Sequence, residues 1–180
     1  MSYFAVQVWT GMEARFLSIY RKRGRDRGAA IIWPRRSLRI RHSGIWRDTL
    51  APIFPGYMFI KAERVDPELY WEVKRTPGFV HFLLSNDHIV PLDDRDQGTL
   101  AHFLTFGEIV DKSQVFFDEN KKIRVVSGPL KGLEGSIVRV DRRKGRAKVR
   151  LELYENSFEV DFGFDALESA PVPALRQGET

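Results

Sequence analysis

Few residues of this 180-residue chain have the types and spacing that catalysis or metal binding requires. The chain has no cysteine, which excludes disulfides, thiolate metal ligands and thiol nucleophiles. The four histidines, His42, His81, His88 and His102, do not pair with each other or with carboxylates at a metal-ligand spacing. The glycine-rich stretch 128–136 lacks the Gly-Lys-Ser/Thr of a phosphate-binding loop. We therefore expect no enzymatic activity, no metal and no cofactor.

The chemistry that the sequence does indicate is binding of a polyanion. Residues 1–60 contain 11 Lys/Arg and 3 Asp/Glu, whereas residues 61–113 contain 6 and 10. Charge clustered in this way favours nucleic acid on one side of the molecule, and a solvated charged surface is the alternative. A second basic cluster occupies a predicted turn: Arg142, Arg143, Lys144 and Arg146. We predict that this turn binds nucleic acid; the alternative is a solubilising hairpin tip.

The elements that must position these residues begin with an α+β pattern over residues 1–106. Apolar periodicity predicts six strands and three helices. The strands lie near 4–8, 29–33, 38–40, 45–47, 53–60 and 80–84. The first helix spans 12–23, the second begins at Asp66 and the third at Pro91. A capping Asp followed by Pro in the first turn marks the second helix. The pattern predicts an α/β sandwich in which helices cover a mainly antiparallel sheet.

The C-terminal part has a different pattern. Periodicity is lost over residues 107–120, which we predict to be a linker about which two domains move semi-independently. Short alternating strands over residues 121–170 indicate a small barrel, since closure removes exposed strand edges. We expect residues 171–180 to be a disordered tail. No signal peptide or membrane span is recognisable, which favours a cytoplasmic location.

Two groups of motifs occur in a fixed order along the chain. The first comprises Gly11-Met12-Glu13 after a strand, the Phe-Pro-Gly-Tyr turn at 54–57 and the Thr-Pro-Gly at 76–78. The second is the stretch 123–135, Ile-Arg-Val-Val-Ser-Gly-Pro-Leu-Lys-Gly-Leu-Glu-Gly. The first group resembles the N-terminal (NGN) domain of the NusG family of transcription factors, and the second resembles a KOW motif, the signature of an SH3-like barrel. KOW motifs also occur in ribosomal proteins, but the two groups in this order are specific.

The resemblance implies a non-enzymatic, monomeric regulator of transcription elongation that does not act at a membrane. Factors of this family dock the NGN domain on the clamp helices of the largest RNA polymerase subunit, and the docked domain contacts non-template DNA. The KOW domain recruits a partner such as Rho or the ribosomal protein NusE. Tethering to polymerase raises the partner's effective concentration.

The resemblance also assigns candidate residues to each role. Those for RNA polymerase are Trp9, Phe54, Tyr57 and Phe59. Those for DNA are Arg15, Lys22 and Arg75. Those for the KOW partner are Leu130, Leu133, Leu153 and Tyr154. The alternatives are ordinary core for the apolar residues, Phe59 and Leu153 above all, and a solvated helix face for the basic ones. We expect Tyr154, beside a turn, to be an exposed contact.

The chain also departs from most housekeeping members of the family. Five arginines lie between the first helix and the Phe-Pro-Gly-Tyr turn: Arg35, Arg36, Arg39, Arg41 and Arg47. With the basic barrel turn, they favour a specialised antitermination paralogue resembling RfaH or, more closely, LoaP, with a nascent RNA hairpin as ligand. RfaH-like factors can hide the polymerase site beneath a helical KOW domain, but the alternating β-branched strands here argue against a helical state.

Three other functions remain as alternatives. A housekeeping NusG would couple polymerase to Rho or the ribosome. A ribosome-associated or RNA-binding KOW protein would use the barrel alone, and the NGN-like motifs argue against it. An enzyme acting on nucleic acid would need a carboxylate or metal cluster that the sequence does not offer.

Overall fold

The computed structural model describes residues 1–23 and 29–168, and the tail predicted at 171–180 lies outside them. The strands are β1 Ser2–Val8, β2 Ala30–Ile32, β3 Arg35–His42, β4 Ile45–Pro52, β5 Tyr57–Ala62, β6 Phe79–Phe82, β7 Ile109–Val110, β8 Ser113–Phe117, β9 Ile123–Ser127, β10 Ile137–Asp141, β11 Arg146–Leu153 and β12 Asn156–Ala166. The helices are α1 Glu13–Arg23, α2 Pro67–Lys74 and α3 Asp94–Leu104, with a short 3-10 turn at Glu134–Ser136.

A four-stranded antiparallel sheet, in the order β2-β5-β1-β6, forms the centre of the N-terminal domain. Alternate residues of its strands face opposite sides. Phe4 and Ile60 belong to a core that includes Phe16 of α1 and Val73 of α2. The strand residues that alternate with these face the other side of the sheet and belong to a second core, which includes Phe103 of α3. The predicted sandwich is confirmed, and both faces of its sheet are covered.

The buried carboxylate of Glu13 explains two of the sequence motifs. Its oxygens accept hydrogen bonds from the amides of Gly11, at 2.7 Å, and of Gly56, at 2.9 Å. This ties the start of α1 to the Phe-Pro-Gly-Tyr turn, 43 residues away in sequence. Gly56 has a φ of +79°, and a Cβ there would lie 2.9 Å from the hydroxyl of Thr10, so this turn requires glycine.

The strands predicted near 38–40 and 45–47 form a β-hairpin rich in arginine, β3 and β4, which pair from Arg35–Pro52 to His42–Ile45. Its tip contains Ser43 and Gly44, both with positive φ. The stem is extended by β7, which pairs in parallel with β3. The hairpin and β7 therefore form a three-stranded sheet of their own, in the order β4-β3-β7.

The C-terminal domain is all-β, as the sequence predicts, with five strands in the order β10-β11-β12-β8-β9. The predicted linker, residues 107–120, is too long, because it contains β7 and β8. Strand β8 pairs with β9 and with β12, so the barrel sheet begins at Ser113. The short strand lengths and the Asp111-Lys112 break between β7 and β8 explain why no periodicity was visible.

The KOW-like glycine Gly128 packs where no larger residue fits. Its φ is +94°, and a Cβ would lie 2.7 Å from the Cα of Ser113. The Ser113 hydroxyl, itself buried, accepts a hydrogen bond from the amide of Leu130 at 2.9 Å. The loop after β9 is thereby fixed to the start of β8, with Leu130 fully buried in the barrel core.

The barrel packs against the N-terminal domain rather than standing apart from it. One continuous buried cluster joins Phe59 and Phe103 of the N-terminal domain to Val149, Leu153 and Phe162 of the barrel. The surface between the domains contains three of the residues that the family resemblance assigns to RNA polymerase, Phe54, Tyr57 and Phe59.

Candidate functional site

Three N-terminal aromatic residues, Phe54, Tyr57 and Phe59, form what we call the aromatic face. Phe54 and Phe59 are fully buried and meet edge to face, with ring centroids 5.4 Å apart. Phe158 of the barrel lies 6.2 Å from the ring of Phe54 and 5.7 Å from that of Tyr57, edge to face with both. The barrel thus covers the aromatic face with a side chain of the same kind.

A second aromatic pair extends the contact between the domains. Phe103 of α3 stacks on Phe162 of β12, with centroids 5.4 Å apart and planes at 7°. Phe103 also meets Phe54 edge to face at 6.1 Å. Such pairs add about 0.5–1.5 kcal/mol beyond the burial of their area.

Polar contacts surround these rings and fix how the barrel sits. The Asp96 carboxylate of α3 accepts the amide N–H of Tyr154 at 2.7 Å. His102 Nε2 donates to the Pro129 carbonyl at 2.8 Å. Desolvation by burial raises the pKa of Asp96, which the Tyr154 hydrogen bond partly counteracts. The interface therefore combines an apolar centre with directional polar contacts.

A buried arginine joins the hairpin to the barrel. Arg36 of β3 is 9% exposed, and its guanidinium donates to the carbonyls of Pro52 in its own domain and Asp161 in the barrel. Burial lowers the pKa of Arg36 to about 10, while the Asp161 carboxylate acts in the opposite direction. Because that pKa stays well above neutral, the side chain is charged. Arg36 is one of the five arginines that favour a specialised paralogue, and in the structure it is an internal contact.

The predicted polymerase residues are not all placed together. The three residues of the aromatic face lie beneath the barrel, and Tyr57 is 7% exposed. Trp9 lies at the β1–α1 turn, where its amide donates to the Gly78 carbonyl and its side chain is 66% exposed. Trp9 is therefore accessible while the aromatic face is covered.

The predicted DNA residues Arg15, Lys22 and Arg75 are all exposed. Arg15 and Lys22 lie on α1, and the end of this helix reaches α2, where the Arg23 side chain donates to the Arg75 carbonyl at 3.0 Å. These three residues belong to the opposite side of the sheet from the barrel, so the barrel does not cover them.

The predicted KOW partner residues need correction. Leu130 and Leu153 are fully buried in the core, so neither is an exposed contact. Leu133 is half-buried, and Tyr154 is half-buried at the domain interface rather than exposed. A residue beside a turn is exposed only when nothing docks on that turn, which a single sequence does not reveal.

The predicted nucleic-acid turn is basic and exposed, except at one residue. Arg142, Arg143 and Lys144 are exposed, and the Arg142 guanidinium lies 3.7 Å from the centroid of the Phe117 ring. Arg146 is half-buried: it donates to the Arg39 carbonyl at 2.6 Å and lies 4.0 Å from the Asp161 carboxylate. Arg146 is therefore a domain contact and does not belong to the free tip.

Five residues of the interface are not indicated by the sequence: Asp96, His102, Phe103, Phe158 and Phe162. The sequence marks Phe158 only as an apolar residue of a predicted barrel strand, and His102 only as a histidine with no metal-ligand spacing. Within residues 1–23 and 29–168, no three His, Asp or Glu side chains are placed to hold a metal ion. In the same part of the chain, no helix is long and apolar enough to span a membrane.

Comparison with known proteins identifies related chains. Residues 1–100 match the family model described as transcription termination factor nusG, and residues 119–152 match that of the KOW motif. A transcription termination/antitermination protein NusG from Thermus thermophilus is 33% identical over 121 residues, which are 61% of this chain and 64% of that protein. A protein of the same name from Xylella fastidiosa (strain Temecula1) is 23% identical over 182 residues, covering 93% of this chain and 98% of the other.

A solved structure described as "Domain interaction in Thermotoga maritima NusG" has the same fold. It aligns with a TM-score of 0.58 at 22% identity, covering 90% of this chain and 93% of the other. The family model for the N-terminal domain spans more than half of the 180 residues. The chain therefore belongs to the NusG family of transcription factors, which act without enzymatic activity.

Proposed function

We propose that this protein regulates transcription elongation by docking on the clamp helices of RNA polymerase through the aromatic face, and that the barrel must leave this face first. The observation that carries the proposal is the position of Phe158 across Phe54 and Tyr57. The family resemblance assigns these two aromatic residues to polymerase, and here they hold the barrel. Barrel and polymerase therefore compete for one surface.

Competition of this kind lowers the apparent affinity for polymerase. Only the open fraction of molecules can bind, so the apparent Kd equals the intrinsic Kd divided by that fraction. The covering barrel is all-β, so covering the polymerase site does not require a helical KOW domain. Tyr154 lies at the same interface, so opening would also release the candidate surface for Rho, NusE or another partner.

A pair of substitutions on the two sides of one ring contact tests the proposal. Phe158→Ser removes the barrel's side of the contact and should raise polymerase affinity by up to roughly 30-fold, the equivalent of about 2 kcal/mol for a central aromatic. Tyr57→Ala removes the other side and should lower the affinity, because polymerase itself needs this ring. Binding to purified polymerase and to a clamp-helix fragment measures both changes.

Glu159→Ser is the matched control, because it places the same residue one position along β12 at an exposed site. It should leave polymerase affinity unchanged. If Phe158→Ser lowers the affinity as Tyr57→Ala does, or if neither changes it while both proteins remain folded, the aromatic face is not the docking surface. Phe54→Ala is unsuitable here, because Phe54 is fully buried and also packs on Phe59 and Phe103.

Docked on polymerase, the protein would present Arg15, Lys22 and Arg75 to non-template DNA, since all three are exposed. We further propose antitermination by a specialised paralogue, supported by the basic hairpin, in which Arg41 and Arg47 are exposed. Mapping occupancy on transcribed genes tests this: binding confined to a few operons supports it. Binding across most genes would instead indicate a housekeeping factor that couples polymerase to Rho or the ribosome.

A further inference from the structure

A groove of about 360 Å³ runs between the hairpin of the N-terminal domain and the basic turn of the barrel. We call it the interdomain groove. Its lining includes five cationic side chains, the exposed ring of Trp46, the buried ring of Phe164 and one carboxylate, Asp165. The cationic side chains are Arg39, Lys112, Arg142, Arg143 and Lys144. The groove is separate from the aromatic face and contains none of the residues assigned to polymerase.

The charges in the groove are only partly neutralised. Lys112 lies 3.5 Å from the Asp165 carboxylate, and Lys144 lies 3.9 Å from that of Asp141. Among the described residues, no carboxylate lies within ion-pair distance of Arg39, Arg142 or Arg143. Cations lining one concave surface create a field that attracts a polyanion.

The groove also offers an aromatic ring to a flat ligand. Trp46 is 40% exposed, although it is among the largest apolar side chains of the protein. The Arg39 guanidinium lies 5.7 Å from its ring centroid. An accessible indole beside arginines is a surface on which a nucleobase stacks while the cations contact phosphates. A base can reach it only if it is unpaired, because a duplex keeps its bases stacked.

The two walls of the groove come from different domains and are held together by specific contacts. Arg146 of the barrel donates to the carbonyl of Arg39 in the hairpin at 2.6 Å. Gly163 of β12 lies so close to the hairpin that a Cβ there would be 3.4 Å from the Ser37 carbonyl oxygen. When the barrel leaves the N-terminal domain, Trp46 and the basic turn separate. The complete groove exists only in the docked arrangement.

We infer that the interdomain groove binds single-stranded nucleic acid, with a base stacked on Trp46 and phosphates on Arg142, Arg143 and Lys144. Because only the docked arrangement has the complete groove, bound nucleic acid stabilises docking, and docking strengthens nucleic-acid binding by the same factor. RNA and DNA share the phosphates and bases that this chemistry needs. The groove does not require polymerase, so it can be tested on the protein alone.

The test measures anisotropy of labelled single strands of about 12 nucleotides, RNA and DNA separately, with the full-length protein at several salt concentrations. A strand should bind, and a blunt DNA duplex should bind more weakly. Trp46→Ala should weaken binding roughly five- to a hundredfold. Ile45→Ala is the matched control, because Ile45 is 58% exposed at the same hairpin tip and lies outside the groove.

The comparison of RNA with DNA strands shows which groups the groove contacts. A preference for RNA would indicate contacts to the 2′-hydroxyl, and equal binding would indicate recognition of phosphates and bases alone. Both results support nucleic-acid binding in the groove.

Two further variants test the charges and the dependence on docking. Arg142→Ala with Arg143→Ala should lower the slope of log K against log salt by about 1.4, from two lost phosphate contacts. Lys131→Ala with Arg150→Ala removes the same charge from exposed barrel positions outside the groove. This control pair should change the slope of log K against log salt less. Phe158→Ser, which opens the domains, should weaken strand binding.

Three results would overturn the inference. One is equal loss in the Trp46→Ala and Ile45→Ala proteins. Another is undiminished binding in a Phe158→Ser protein shown to be open. The third is binding that is lost on replacing Arg15 and Lys22 but not the groove residues. None of these results bears on polymerase affinity, so failure here is distinguishable from failure of the proposed docking surface.

Discussion

The two faces of the N-terminal sheet are both apolar and both covered, but their covers differ. Phe4, Val6 and Ile60 on one face pack against α1 and α2, which lie close to the strands in sequence. Tyr57 and Phe59 on the other face pack against α3 and against a barrel that begins more than fifty residues later. The first cover belongs to the domain itself. The second is contributed in part by a different domain.

The chemistry of the two covers follows this difference. Phe16 of α1 and Val73 of α2 are fully buried, with apolar neighbours. On this side the buried carboxylate of Glu13 bonds to two amides of its own domain. The barrel contact instead places buried charges at the boundary between the domains: the Asp96 carboxylate and the Arg36 guanidinium. Buried charges cost desolvation free energy, so they strengthen an interface less than apolar packing of the same area does. The comparison predicts that the helix cover is permanent and the barrel cover removable.

The largest expected effect is on the permanent face. Phe16→Ala should lower the free energy of unfolding of the N-terminal domain by about 3–5 kcal/mol, because it leaves a cavity beneath α1. Denaturant unfolding of the full chain measures this change. Phe158→Ser should shift the same transition much less, because it separates the domains without opening the sandwich core. Equal destabilisation by the two changes would mean that both covers are integral to one folding unit.

An intermediate effect is expected at the buried arginine. Arg36→Met keeps an apolar stem but removes the donors to the Pro52 and Asp161 carbonyls. Loss of hydrogen bonds to a charged group costs about 1.5–3 kcal/mol, and this cost should favour the open arrangement. The amide NMR shift of Tyr154, which reports its bond to Asp96, measures opening.

Arg41→Met is the control for this change, since Arg41 is exposed and its guanidinium donates within the hairpin, to the Gly44 carbonyl. The amide NMR shift of Tyr154 in the Arg41→Met protein should match that of the unmodified protein. A Tyr154 amide that is unaffected by Arg36→Met would show that the guanidinium does not hold the domains together.

Local patterns allowed the elements to be predicted, but not the docking of one domain on the other. The Asp66-Pro67 start of α2 is confirmed: the Asp66 side chain caps Leu69, three residues away. Such signals lie within one helical turn. The stacking of Phe103 on Phe162 joins residues 59 positions apart in two domains, and nothing local to either one indicates it. Leu153 was assigned to a partner surface for the same reason: the sequence marks it as apolar without showing which side of β11 it faces.

The smallest expected effect concerns pH and the buried carboxylate of Asp96. Desolvation by burial raises its pKa in the docked arrangement. The hydrogen bond from the Tyr154 amide and the charge of Arg95 lower the pKa, whereas the charges of Asp93 and Glu152 raise it. In the open arrangement the pKa should return toward its ordinary value. The docked arrangement then binds a proton more tightly than the open one, so docking should strengthen as pH falls through the raised pKa and weaken as pH rises.

Asp96→Asn tests this sign. The amide oxygen still accepts the Tyr154 N–H, while the buried charge is removed, so docking at neutral pH should strengthen by less than about 1 kcal/mol, because the attraction to Arg95 is also lost. The acid-induced strengthening should disappear. Asp94→Asn removes the same charge from an exposed position on the same turn of α3. It should leave unchanged both the strength of docking at neutral pH and the strengthening of docking on acidification. The Tyr154 amide shift, followed at neutral pH and on acidification, measures both. If Asp96→Asn instead opens the domains at neutral pH, the carboxylate charge stabilises the interface and the direction inferred from burial is wrong.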